Sequence, residues 1–246
     1  MAQEAILDAS PQFAVGRVIA VSFAVLRRNF IPFLVIAFTI SIPYIAVQTL
    51  IDIRDLQPAT QSGLGGFGSA ASYVQMVTFS LVQAALTYGT LQDLRGQPAG
   101  LGECFRRGLA ASTRLIRAAL LYSFLLVLGL LVLIIPAIVL SVIWWVYVPA
   151  IVVEDLGVTA SFKRSKVLTA GHRWSIFALV ALVTVLQIGA VIGAGMAVPG
   201  IVGAIAGTLL VVLFSAYFSV MTAVGYYYLR SEKEGIVIDD IARVFD

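Results

Sequence analysis

Chemistry at neutral pH needs groups that titrate, attack or hold a metal, and this chain offers few. It has one histidine, His172, and one cysteine, Cys104, so no intrachain disulfide can form. Zinc sites take three or four Cys, His or carboxylate ligands at close spacing, and no such set is present. The glycines at 63, 65, 66 and 68 lack the Lys-Ser/Thr pair of a phosphate-binding loop and read as a flexible loop. The most suggestive side chains are Glu154, Arg164 and Trp174. Glu154 closes a long apolar run, and Arg164 follows about three helical turns later. No histidine or metal-ligand set accompanies Glu154 as a catalytic partner. We therefore expect a structural role: Glu154 binds Arg164 or a neighbouring base and pins the helix that carries it beneath the bundle. No catalytic, cofactor-binding or metal-ligating residue is expected.

The elements that would position these groups follow from composition. Hydrophobic residues make up 60% of the chain and charged residues 12%, against roughly 45–50% and 25% in soluble domains. That balance excludes a soluble enzyme, a disordered chain and a disulfide scaffold. A hydrocarbon core of about 30 Å takes about 20 apolar helical residues. Asn29–Ile51 forms one span and Ala70–Leu94 a second. Ala118–Val153 is uncharged and too long for one crossing, and Pro136 near its middle breaks helical hydrogen bonding. It divides into Ile116–Ile135 and Pro136–Val153. Trp174–Leu229 divides at Pro199-Gly200 into Trp174–Val198 and Ile201–Leu229. Met1–Ser10 carries Glu4 and Asp8 without a base, unlike a secretory signal peptide. The expected fold class is an all-α integral membrane protein with six transmembrane helices.

Orientation follows from the positive-inside rule. With a cytoplasmic N-terminus, fifteen of the sixteen basic residues face the cytoplasm and only Arg54 lies outside. The net charge of +3 then reflects topology and not nucleic-acid binding. The bases cluster on three amphipathic segments expected to lie in the cytoplasmic interface. The first is Pro11–Asn29, with Ser10 as N-cap and Val15, Val18, Ile19, Ser22, Val25 and Leu26 at helical spacing. The second is Leu101–Arg117, with a stripe of Leu101, Phe105, Gly108, Leu109, Ser112 and Ile116. The third is Val158–Arg173, with Val158, Phe162, Ser165 and Leu168 on one face. Each precedes a pair of spans, so the single membrane domain, 1–246, reads as three units, 11–95, 99–153 and 158–230, plus a tail, 231–246. Aligning Ser22, Gly108 and Ser165 superposes the three basic segments.

The stretch from Pro149 through Val152-Val153-Glu154, Arg164-Ser165 and Gly171-His172-Arg173-Trp174 resembles a known signature. It is similar to the family of bacterial six-helix membrane proteins that includes the membrane domain of some glycerophosphoryl diester phosphodiesterases. Leu133-Ile134-Ile135-Pro136 resembles that family's proline-centred hairpin, where the next residue is often glycine and here is Ala137. The resemblance implies a bacterial inner-membrane location and an architecture more than an activity. No soluble stretch could hold the phosphodiesterase's catalytic barrel of about 250 residues.

Away from their ends the spans hold no Asp, Glu, Lys, Arg or His, groups that mark proton and ion paths. Gln48, Gln75, Gln83 and Gln187 remain as mid-span polar side chains, with several hydroxyls, and read as packing contacts. Gly189-x-x-x-Gly193 and Gly203-x-x-x-Gly207 are small-residue motifs expected to pack the last hairpin, with a dimer seam as the sharper reading. The tail from Ile236 reads as a short amphipathic turn. The function expected is a non-enzymatic membrane module that organises or engages lipids or a membrane partner. The alternative is a transporter or channel for a small or lipidic solute. Membrane lipids are the expected partners, with another membrane protein or a second copy of the chain as further ones, and no nucleic acid.

Overall fold

In an apolar setting backbone groups must bond within their own segment, and every regular element among the described residues is an α-helix. The computed structural model describes residues 12–55, 70–97, 100–132, 134–198 and 200–235. The expected Ser10-Pro11 cap, the 63–68 glycine loop, Leu133, Pro199 and the tail from Ile236 lie outside them. The helices are α1 (Val15–Arg28), α2 (Phe30–Asp55), α3 (Ala70–Leu94), α4 (Leu101–Ala110), α5 (Ser112–Val132), α6 (Ile134–Ile143), α7 (Tyr147–Glu154), α8 (Val158–Leu168), α9 (Arg173–Ala197) and α10 (Ile201–Glu234).

Five stretches are long and apolar enough to cross a membrane: Phe30–Ile51, Ser112–Gly129, Ile135–Glu154, Arg173–Ala197 and Ile201–Glu234. Helix α3 is not among them, and its position explains why. It packs against α2, α4, α5, α7 and α10, and every residue from Val82 to Leu91 is buried. A helix surrounded by protein can carry Ser80, Gln83, Thr87 and Thr90 without showing them to an apolar solvent.

The run expected as one helix from Pro136 to Val153 is two, and this corrects the expectation. Trp144, Trp145 and Val146 form a turn between α6 and α7. Pro136 and Pro149 each occupy the third position of their helix, inside the first turn, where a missing N–H costs no intrahelical bond. Pro149 thus lies in the first turn of a helix. Asp155, at φ 52°, ends α7 in the left-handed region, and Gly171, at φ 91°, turns the chain into α9.

Helices α2–α3, α5–α6 and α9–α10 pack as hairpins. The three basic helices do not dock mainly on the hairpins they precede. Helix α4 lies against α3, α8 against α7, and α1 against α10. Each therefore sits on the second helix of the preceding hairpin, and α1 closes the circuit on the last. Burial keeps the same phase in all three. Ser22, Gly108 and Ser165 are buried, as are Val18, Cys104 and Ser161 one turn earlier and Val25, Ala111 and Leu168 one turn later. Ala20, Arg106 and Lys163 are exposed, as are Phe23, Leu109 and Lys166. The stripe expected on α4 is rotated: Leu101 and Leu109 point outward, and Cys104, Gly108, Ala111 and Leu115 face the protein. Close approach decides this, because a Cβ on Gly108 would lie 3.0 Å from that of Ala85 on α3.

Candidate functional site

The charged side chains gather where α3, α7 and α10 end. A pairing pattern recurs there. Arg28 Nη2 lies 2.6 Å from Asp93 Oδ2, Arg114 pairs with Asp155, and His172 Nε2 lies 2.9 Å from Glu232 Oε1. Each joins a base near the start of a hairpin to an acid at that hairpin's exit. The Arg114 guanidinium, bonded to the Asp155 side chain, holds that carboxyl below the ordinary aspartate range.

Beside this recurring set, α7, α8 and α10 share a charge network centred on Glu154. Arg164 Nε donates to both Glu154 oxygens at 2.8 Å. Tyr226 Oη donates to Glu154 Oε1 at 2.7 Å, and Arg230 Nη1 donates to Tyr226 Oη at 3.1 Å. Glu234 closes the network, accepting from Arg230 Nε at 2.9 Å and pairing with Arg164 Nη2. Two carboxylates thus face two guanidiniums, and all four are mostly withdrawn from solvent. Such a cluster is neutral and its Glu154 lone pairs are engaged, which suits a clamp better than a proton carrier.

The adjacent Ser165 does a different job. At the α6–α7 turn Tyr147 N–H donates to Trp144 O, which frees the Ile143 carbonyl of its helical partner. Ser165 Oγ donates to Ile143 O at 2.9 Å and accepts from Val146 N–H at 3.2 Å, so one hydroxyl bridges the break. Thr169 Oγ1 adds a second bond to Ile143 O at 3.2 Å. Lys233 Nζ donates to the Val167 and Ala170 carbonyls at 2.5 and 2.8 Å, satisfying the last turn of α8 from α10. Helix α8 is therefore held on its inner face by one charge network, one helix break and one C-terminal lysine.

Among the expected site residues, the structure brings together Glu154, Arg164 and Ser165, with Pro149 starting the helix that ends on Glu154. Pro136 lies apart, in the first turn of α6, beside the point where a Cβ on Gly129 would come within 3.2 Å of Ala137 N. Trp174 takes no part in the clamp, since it is 84% exposed. Gly203 has no room for a side chain, because a Cβ would overlap the Val198 carbonyl, and Gly207 lies against Val191 on α9. Gly189 and Gly193 differ from the packing expectation: nothing in the described chain lies within 4 Å of a Cβ at either. Helix periodicity turns them away from α10.

Sequence reasoning missed Tyr226, Arg230, Glu234, Thr169 and Gly225. The first three recur every fourth residue and so share a helix face, which is a readable signal. Gly225 has none: its missing side chain makes room for the buried Trp145 ring. Several mid-helix hydroxyls bond their own backbone, whereas Ser80 Oγ also lies 3.2 Å from Tyr147 Oη on α7 and Thr90 Oγ1 is buried with no hydrogen bond among the described residues. Thr87 donates to Gln83 O, Thr208 to Ala204 O, Ser219 to Ser215 O and Thr222 to Phe218 O. Cys104 is buried, and burial pushes its thiol up to about 11, far from the reactive thiolate range. Among the described residues no group of three or more His, Cys, Asp or Glu is arranged to hold a metal ion.

A family model described as a domain of unknown function (DUF7847) matches residues 99–229, from just before α4 to near the end of α10. No curated protein and no solved structure matches the chain.

Proposed function

This chain belongs to the DUF7847 family, a domain of unknown function matched over more than half its length, and from that premise we propose a non-enzymatic multi-pass module of a bacterial inner membrane. Six helices cross the bilayer, both termini are cytoplasmic, and α1, α4 and α8 lie in the inner interface, where the module engages lipids or a membrane partner. The carrying observation is the docking of all three basic helices, in one burial phase, on α3, α7 and α10, the helices whose ends carry the charged side chains. Five stretches have span character, and α3 serves as the sixth, polar because protein surrounds it. The outward apolar residues of the basic helices, Phe23, Leu109 and Val167, sit beside exposed cations, as interfacial helices require. The back-bonded hydroxyls favour packing over a solute path.

Orientation is tested with a phosphatase reporter that is active only outside the cytoplasm. Fusion after residue 60 is expected to be active, and fusion after residue 246 inactive. Activity at the C-terminus overturns the topology. The role is tested by native mass spectrometry of gently solubilised protein. Phospholipid adducts or one stoichiometric protein partner are expected, and a bare chain under conditions that preserve lipid adducts on other membrane proteins sinks the proposal.

A further inference from the structure

Most bases of the charged layer have a partner within the chain. Arg28, Arg106, Arg107, Arg114, Arg164 and Arg230 bind carboxylates, and Lys233 binds carbonyls. Among the described residues no carboxylate pairs with Lys163, Lys166 or Arg173, nor with Arg27 or Arg117, and the first three fall on one continuous stretch from α8 into α9. Lys163 and Lys166 share the exposed face of α8 with Val167, and Arg173 opens α9 immediately before Trp174. Trp174 is 84% exposed, and its ring meets Phe177 edge-on with centroids 6.1 Å apart. Beyond Phe177, α9 continues as an apolar wall with Leu182, Val185, Leu186 and Ile188 exposed.

This order matches a lipid molecule lying along α9. Unpaired cations come first, an amphipathic aromatic ring lies at the level where head group meets chain, and aliphatic surface follows. Charge complementarity chooses the class. Three uncompensated cations attract a head group with net negative charge and gain little from a zwitterionic one. The inner face of α8 is clamped by Glu154–Arg164, by Ser165 on the α6–α7 turn and by Lys233, so the helix presents Lys163 and Lys166 on a fixed face. We propose that the outer face of α8 and the first turns of α9 form a docking surface for anionic phospholipid, with Lys163, Lys166 and Arg173 holding the head group and Trp174 set against the upper acyl chain. The proposal rests on the membrane reading and names the lipid class and the surface.

Trp174 supplies its own probe. The wild type and Trp174→Phe are reconstituted into phosphatidylcholine vesicles containing an equal minor fraction of brominated phosphatidylglycerol or brominated phosphatidylcholine. The emission lost on Trp174→Phe isolates the contribution of Trp174 from Trp144 and Trp145. Bromines on phosphatidylglycerol are expected to quench that component roughly twice as strongly as bromines on phosphatidylcholine at low salt. The excess is expected to vanish in Lys163→Gln/Lys166→Gln/Arg173→Gln, none of which touches the clamp. Equal quenching by both lipids overturns the anionic surface while leaving the membrane reading intact. An absence of quenching by either lipid overturns both, because Trp174 would then lie outside the bilayer.

Discussion

Glu154→Ala is expected to destabilise the detergent-solubilised protein by about 2–3 kcal/mol, the largest loss from any single charge removal in the chain. The substitution removes the acceptor of both Arg164 Nε contacts and of the Tyr226 hydroxyl, and takes away the second carboxylate near Arg230, 4.0 Å from its Nη1. Arg164 and Arg230 are then left to share Glu234. Two guanidiniums on one carboxylate, in a place only partly open to water, carry an uncompensated positive charge. Removal of one partner from a fully buried ion pair costs about 3–5 kcal/mol, and the residual exposure here lowers that figure. Glu154→Gln keeps a carbonyl acceptor for Tyr226 and is expected to cost less, about 1 kcal/mol. Equilibrium denaturation in one detergent measures all three proteins. A double-mutant cycle with Arg164→Ala is expected to return a coupling above about 1 kcal/mol. Additivity of the two single losses would show that the pair does not clamp α8.

The half of this clamp that was readable in sequence lies within one short segment. Glu154 ends an apolar run and Arg164, directly after Lys163, belongs to the first basic pair that follows it, so their meeting needs little knowledge of the rest of the fold. Tyr226 lies 72 positions from Glu154. Its spacing with Arg230 and Glu234 marks one helix face, but nothing in a hydropathy pattern says which hairpins become neighbours. The phase of α4 was misread for a related reason. Hydrophobicity points to Leu101 and Leu109, yet contact with Ala85 admits only a glycine, so the docking face is set by size and the larger side chains turn outward. Span-level features were legible because apolar length survives any packing arrangement. Helix α3, expected as a span, is the exception: it is not among the five stretches with span character, and burial in protein relieves a helix of the need to be uniformly apolar. The α6–α7 turn carries no glycine, and its one sequence mark, Pro149, fits the start of a helix as well as a late position in one.

That turn supports the second large effect. Ser165→Ala is expected to cost about 1–3 kcal/mol, because Val146 N–H then loses its acceptor in a buried turn. The Ile143 carbonyl retains Thr169 Oγ1, so only one backbone group is orphaned. Thr169→Val alone is expected to cost less, since Ser165 still donates to Ile143 O. The double variant removes both hydroxyls and strands both backbone groups, so its loss is expected to exceed the sum of the singles by about 1 kcal/mol. Denaturation of the four proteins under one condition reads this excess directly. A double variant no worse than the sum would mean that water reaches the turn and replaces the hydroxyls. The same turn bears on the proposed lipid-docking surface, because it fixes the inner face of α8. Loss of the bridge removes one of the three holds on the inner face of α8, so the double variant is expected to weaken the preference of Trp174 for bromines on phosphatidylglycerol even though Lys163, Lys166 and Arg173 remain. Lys163 and Lys166 can favour one head group over another only as far as α8 keeps its orientation, and Ser165, Glu154 and Lys233 together set that orientation.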